Sequence, residues 1–154
     1  MKSEQIQKKE LQKGVDYIGV TCVFFCHDGK GNILFHKRSQ NCRDERGNWD
    51  VGGGSLEFGE SFDKGVRREV REEYCCEILE LKYLGTHNVI RKNHENKKTH
   101  WIALMFSAKI DPQQVKIGEP DYMDELGWFS EDNFPKPMHS YFYKCYNQIK
   151  HFLK

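Results

Sequence analysis

Glu69, Glu72 and Glu73 stand at positions i, i+3 and i+4, so on a helix their carboxylates project from one side. Three clustered anions repel one another and weaken the helix that carries them. Arg67, Arg68 and Arg71 offset part of that repulsion. A hard divalent cation, which prefers oxygen ligands and keeps several waters, would offset far more. A solvated charged face is the plain alternative, and the preceding loop argues against it. Gly52, Gly53 and Gly54 follow the short stretch Trp49 to Val51, and consecutive glycines cost backbone entropy. They are expected to turn the chain sharply after a strand and to offer a carbonyl or amide to a ligand. A glycine-rich turn leading into a carboxylate-bearing helix suits a diphosphate and its metal ion.

The spacing extends beyond the helix. From Gly54 the chain reads SLEFG, Glu60, SFDKGVR, Arg68, Glu69, Val70, Arg71, Glu72, Glu73, Tyr74, Cys75 and Cys76. This stretch resembles the Nudix box, G-x5-E-x7-R-E-U-x-E-E-x-G-U, where U is aliphatic. Every charged position matches, as does the first glycine. Cys75 stands where the pattern has glycine, and Cys76 where it has an aliphatic residue. Both departures fall at the end of the helix, past the carboxylates. With the flanking strand order and the ELGWF-S-E-D-N-F-P segment, the likeness covers most of residues 17–135.

The resemblance implies hydrolysis of a diphosphate linkage in a nucleotide. It implies Mg²⁺ as cofactor, with Mn²⁺ as a substitute. Glu72 and Glu73 would be the main metal ligands, aided by the Gly53 carbonyl. Glu69 would complete the set, as a ligand or as the base that deprotonates the attacking water. Arg68 would hold these carboxylates by charge-assisted hydrogen bonds. Glu60 would either anchor the loop through Arg68 or serve an outer metal. The first reading is a nucleoside triphosphate, either canonical or oxidised or non-standard, cleaved to the monophosphate and pyrophosphate. An ADP-ribose or nucleotide-sugar pyrophosphatase is the second reading, and a non-catalytic nucleotide-binding regulator of the same fold is the third. Regulators of that kind commonly lose box carboxylates, and this sequence keeps them all.

Substrate contacts are expected outside the box. Gly54 would bring backbone close to the ligand. Arg38 and Arg43 would contact phosphate. They also form part of a coenzyme A signature, which Val51 and Gly52 break. A proline about 15 residues past the box marks many ADP-ribose enzymes, and residues 89–93 contain none. Glu119 would add a ligand or a base from a loop. Asp124, with Asp121 and Glu125, would touch the base or form an acidic surface loop. A base could stack on any of the three tryptophans, and Trp49 is expected to come nearest the pocket because it adjoins the glycines. Aromatic residues on strands are more often core, which is the first reading of Trp101 and Trp128.

The elements that must position these groups can be read from periodicity. Phe62, Val66, Val70 and Tyr74 recur as the apolar stripe of an amphipathic helix, with Ser61 as N-cap. Residues 17–27 and 33–36 flank the turn DGKGN and predict a hairpin. Residues 49–51, 79–90, 101–110 and 125–129 read as strands. The loop 91–100 is polar and net positive. Residues 130–135 read as a turn or short helix, and 139–153 as a closing helix with Phe142, Tyr146, Ile149 and Leu153 on one face. The order predicts an α/β protein with the Nudix fold, a mixed β-sheet sandwiched between helices (α/β/α).

Composition sets the outer bounds. At ~150 residues per domain, 154 residues make one domain over 1–154, with 1–14 a polar N-terminal arm or helix. Mean hydropathy of −0.79 and 31% charged residues argue against a membrane protein. A net charge of +1 gives no overall field for a nucleic-acid polymer. The expected partner is a nucleotide substrate, and a homodimer is left open. Residues 1–14 lack a signal-like apolar stretch, which points to a cytoplasmic location. The six cysteines are therefore expected as reduced thiols.

Overall fold

A computed structural model describes residues 10–153. The arm expected over 1–14 lies mostly outside the described residues, and 10–12 carry neither helix nor strand. In chain order the elements are β1 (Gly19–His27), β2 (Asn32–Arg38), β3 (Trp49–Asp50), β4 (Gly52–Ser55), α1 (Phe62–Tyr74), β5 (Ile78–Lys92), β6 (Lys98–Ile110), β7 (Met123–Ser130) and α2 (Phe142–Ile149). Short 3-10 turns cover Glu131–Asn133 and Lys150–Phe152.

β1 reads as an unbroken apolar run because both of its faces are covered. Cys22, Phe24 and Cys26 point to one side, where they pack with Leu104 and Phe106 of β6 and with Val66, Val70 and Tyr74 of α1. Phe25 points to the other, where it meets Met105 and the Phe142, Cys145, Tyr146 and Ile149 face of α2. Two cores therefore lie on opposite faces of one sheet. This is the α/β/α arrangement expected from the sequence.

The sheet is mixed, with strand order β3-β2-β1-β6-β5. β1 and β6 run parallel from Gly19↔Trp101 to His27↔Lys109. The expected β1–β2 hairpin forms only at its turn, where His27 opposes Ile33. Beyond that point β2 leaves to pair with β7 and β3. The edge of β1 that it vacates is taken by β4, from Thr21↔Ser55 to Phe24↔Gly52. Turn residues determine the reversal of the chain but not how far two strands stay paired, and here other strands win both edges. The three glycines consequently form a strand instead of the sharp turn expected of them, and none has a positive φ.

α1 begins as predicted, with the Ser61 hydroxyl accepting from the Lys64 amide at 3.3 Å. It ends at Cys75, which takes the left-handed conformation (φ 56°) and donates its N–H to the Arg71 carbonyl. A side chain there strains the backbone by roughly 1–2 kcal/mol, and glycine is the usual residue at such a cap. Cys76 is buried in the α1 core, where a thiol serves as a small apolar group. Cys75→Gly should raise stability by about 0.5–1 kcal/mol, since relief of the strain exceeds glycine's extra unfolded-state entropy. Chemical denaturation of the two proteins measures it, and an unchanged or lower midpoint would refute the strain.

α2 starts three residues later than predicted. Before it, His139 donates its amide to the Trp49 carbonyl, and Ser140 binds the Glu45 carboxylate through both hydroxyl and amide. Those bonds hold residues 139–141 against the neighbouring loop and out of the helix. All six cysteines are free. Among the described residues no helix is long and apolar enough to cross a membrane.

Candidate functional site

The three glutamates of α1 are graded in burial by their angle from the apolar stripe. The Glu72 side chain is 48% exposed and that of Glu69 13%, while Glu73 is buried. The backbone N–H of Gly53 donates to the Glu73 carboxylate. Its Oε2 atom is buried with no hydrogen-bond partner. Burial, followed by the charges of Glu69 and Glu119, pushes the Glu73 carboxyl well above the usual carboxylate range. Burial also raises Glu69; the neighbouring Glu72 and Glu119 add to this, and Arg68 opposes it.

Arg68 is the hub of the loop–helix junction. Its Nε and one terminal nitrogen donate to the two oxygens of Glu60 at 3.1 and 2.7 Å. The other terminal nitrogen donates to Glu69 at 2.6 Å and to Glu72 at 3.2 Å, and a further bond reaches the Ser55 carbonyl. The guanidinium brings the Glu60 carboxyl down to about 2. Glu60 thus locks the loop preceding α1 through Arg68, with both of its oxygens engaged. The nearest β4 residue has no room for a side chain: a Cβ on Gly54 would lie 2.0 Å from the Glu69 carboxyl carbon.

Glu119 arrives from a distant part of the chain. The segment after β6 crosses the last turn of α1, where the Lys116 and Gly118 amides donate to the carbonyls of Tyr74 and Glu73. A Cβ on Gly118 would sit 1.9 Å from the Glu72 carbonyl oxygen, so only glycine permits this approach. The crossing delivers Glu119 to the carboxylate cluster. Burial and the charge of Glu72 raise its carboxyl.

These groups open onto a cleft of about 430 Å³. Gly52 to Ser55, Glu73 and Glu119 line it together with Arg38, Arg43 and Arg91. Arg38 donates to the Asp44 carboxylate and carbonyl, both at 3.1 Å, and Arg91 donates to the other Asp44 oxygen at 2.7 Å. The guanidiniums of Arg91, Arg38 and Arg43 hold the buried Asp44 carboxyl below its usual range, against the effect of burial. Deeper in, His36 shares a 2.8 Å hydrogen bond with the Tyr74 hydroxyl, and burial brings its imidazole down to about 4.

Of the residues expected at the site, Gly53, Gly54, Glu73, Glu119, Arg38 and Arg43 all line the cleft. Glu60, Arg68, Glu69 and Glu72 form the network beside it. Two lie elsewhere. Trp49 packs against Phe129 in the α2 core at a ring distance of 5.4 Å, because β3 turns its indole away from the glycines. Asp124 is exposed on β7, apart from the cleft lining. Sequence reasoning missed Asp44 and singled out Arg91 only as part of a basic loop. It read Trp101 as core, and this residue lines the cleft. A buried acid between two arginines leaves no local spacing signal, so nothing in the sequence marks that trio.

The donor set fits a hard divalent cation. It offers only oxygen, it includes an orphaned buried carboxylate oxygen, and its acids raise one another's proton affinity. Among the described residues no three acidic, histidine or cysteine side chains already converge on one point. Glu69 and Glu72 are turned onto Arg68 instead.

The family model described as NUDIX domain matches residues 17–148. The chain is 33% identical over 82 residues to the NAD-capped RNA hydrolase NudC of Pseudomonas aeruginosa (strain LESB58), a match covering 53% of this chain and 27% of that protein. It is 24% identical over 135 residues to the 8-oxo-dGDP phosphatase NUDT18 of Mus musculus, covering 85% of this chain and 37% of that protein. The chain thus spans about a quarter to a third of the length of these relatives. Among solved structures, a MutT NUDIX hydrolase from Burkholderia pseudomallei superposes with a TM-score of 0.74 at 25% identity, covering 86% of this chain and 98% of that one.

Proposed function

The chain belongs to the NUDIX family, and from that premise we propose that it hydrolyses a diphosphate linkage in a nucleotide with a divalent cation, Mg²⁺ or Mn²⁺. The substrate we assign is a nucleoside triphosphate, canonical or altered in its base, cleaved to the monophosphate and pyrophosphate. One observation carries the reading: Glu73 Oε2 is buried without a partner beside the glycine strand. A carboxylate oxygen in that condition is costly unless a cation or proton joins it.

Glu69, Glu72 and Glu73 would hold the cation, with Gly53 and Glu119 beside them. When bound, the ion supplies charge neutralisation for the diphosphate and Lewis acidity. The protein's own groups do the positioning. Arg68 fixes Glu69 and, through Glu60, the loop that precedes α1. Glu69 is suited to take the proton of the attacking water, since burial and its acidic neighbours raise its proton affinity. Arg38, Arg43 and Arg91 line the same cleft and would contact phosphate oxygens, which guanidinium geometry matches. Catalysis of this kind rests on orientation and charge stabilisation.

The test is a hydrolysis panel of canonical and oxidised nucleoside triphosphates, ADP-ribose, sugar nucleotides and NAD, with products identified and chelated controls. Pyrophosphate and monophosphate are expected from a triphosphate, and chelation should abolish turnover. Two monophosphates from ADP-ribose or NAD, with triphosphates untouched, would move the substrate to the second reading. Turnover surviving exhaustive chelation would overturn the mechanism.

A further inference from the structure

A second recess adjoins the cleft. It has a volume of about 580 Å³ and is lined by Gln12, Lys13, Arg46, Asn93 and His94 among others. Arg43, Ser55 and Trp101 line both spaces, so they form the passage between them. Trp101 begins the parallel ladder opposite Gly19. Its indole is held against backbone at both ends. A Cβ on Gly19 would lie 2.4 Å from Cε3, and one on Gly14 would lie 2.2 Å from Cε2 and Nε1. A side chain at either glycine would occupy the space of the ring. The indole remains half-buried at the mouth of the passage. Trp49 and Trp128, by contrast, belong to the two cores.

The register sets how far this ring stands from the acidic end. Gly53 opposes Val23 and Trp101 opposes Gly19. They sit on opposite edges of β1, four residues apart along it and two strand spacings apart across it, about 16 Å at ~3.3 Å per residue and ~4.8 Å per strand. The diphosphate belongs with the carboxylates and their cation, so the group that reaches Trp101 is the far end of the nucleoside. An indole offers no hydrogen-bond acceptor and a broad apolar face, which suits a planar base.

We propose that Trp101 is the stacking platform for the substrate's nucleobase, with Arg43 as the cationic group of the same passage. This deepens the hydrolase reading and rests on it for the placement of the diphosphate. Stacking on an indole tolerates any base, and Arg43, which lines the same two spaces, supplies a planar cation that stacks as well as donates. The site therefore selects base-bearing diphosphates over base-free ones and leaves the choice among bases to the groups around the ring's edge.

The experiment has a binding arm and a kinetic arm. Indole fluorescence of wild type and Trp101→Phe is titrated without metal, using a nucleoside 5′-diphosphate, ribose 5-phosphate and inorganic pyrophosphate in turn. Quenching by the nucleoside diphosphate alone, with its amplitude lost in Trp101→Phe, is the expected result. In the kinetic arm, Trp101→Ala should raise KM for the nucleoside triphosphate roughly ten- to hundredfold, leave kcat nearly unchanged, and be largely rescued by Trp101→Phe. Equal quenching by ribose 5-phosphate, unaltered quenching in Trp101→Phe, or an unchanged KM in Trp101→Ala would overturn the platform. If Trp101→Ala does not fold, the Trp101→Phe titration decides alone. The hydrolase reading fails separately, if wild type binds nucleotide at Trp101 yet cleaves none of the panel.

Discussion

Glu73→Gln should lower kcat by roughly two to four orders of magnitude, the range for losing a positioned catalytic or electrostatic group. Glutamine keeps the volume of the side chain and can still accept from the Gly53 amide. It removes the anion whose Oε2 is buried without a partner. If α1 simply presented a solvated charged face, the change would matter little, because exposed charge pairs are worth ~0–1 kcal/mol. Glu80→Gln, at an exposed position on β5, is the control and should leave turnover intact.

The same substitution has a readout that needs no turnover. Burial holds the native Glu73 carboxyl well above the usual carboxylate range, so the folded protein holds that proton more tightly than the unfolded chain. Between the unfolded and folded values the native state binds more protons, and stability falls as pH rises through that window. The stabilising contribution is complete below the unfolded value and is lost as pH climbs through the folded one. Metal-free wild type should therefore lose melting temperature with rising pH more steeply than Glu73→Gln. The variant should be the more stable of the two at the alkaline end, and Mg²⁺ should stabilise wild type more than the variant. Normal turnover together with an unchanged Mg²⁺-induced shift would refute the role of Glu73.

Gly54→Ala should reduce kcat/KM by about a hundredfold or more, the scale on which a misplacement near 1 Å acts, while the protein stays folded. The new methyl would lie 2.0 Å from the Glu69 carboxyl carbon and 2.2 Å from its Oε2. What it meets is the end of a flexible side chain, so the fold yields by swinging the carboxylate off Arg68. A thermodynamic cycle with Glu69→Ala separates this route from a general disturbance of β4. If the methyl acts through Glu69, the double variant should be no worse than Glu69→Ala alone. Multiplied losses, or a collapse of melting temperature, would place the damage in the strand.

The charged core of the site was legible because it lies within one short stretch of chain. Spacing along a helix is dictated by covalent geometry, so Glu69, Glu72 and Glu73 had to share a side wherever α1 packed. The Ser61 cap and the Val66, Val70, Tyr74 stripe determined where that helix starts and which face it buries. The same stripe explains why Glu73, its immediate neighbour, is the buried carboxylate. The apolar runs of β1 and β6 likewise announced strands covered on both faces. Their parallel pairing could not be read from either run.

Tertiary structure decided whatever depends on segments far apart in sequence. Trp49 adjoins the glycines and Trp101 lies in an apolar strand, yet the first entered a core and the second reached the cleft. The outcome turned on β3 pairing with β2 and on Gly19 lying opposite Trp101. The glycines at 52–54 carried a signal for special backbone, and its cause is the closeness of the Glu69 carboxylate and of β1, not a turn. Glu119 reaches the cluster only because Gly118 admits the chain against the last turn of α1. Asp44 joins Arg38, six residues before it, to Arg91, 47 residues after it. Local periodicity records which face of an element is buried. It holds no record of which element covers that face, because that choice is made by packing among all the elements at once.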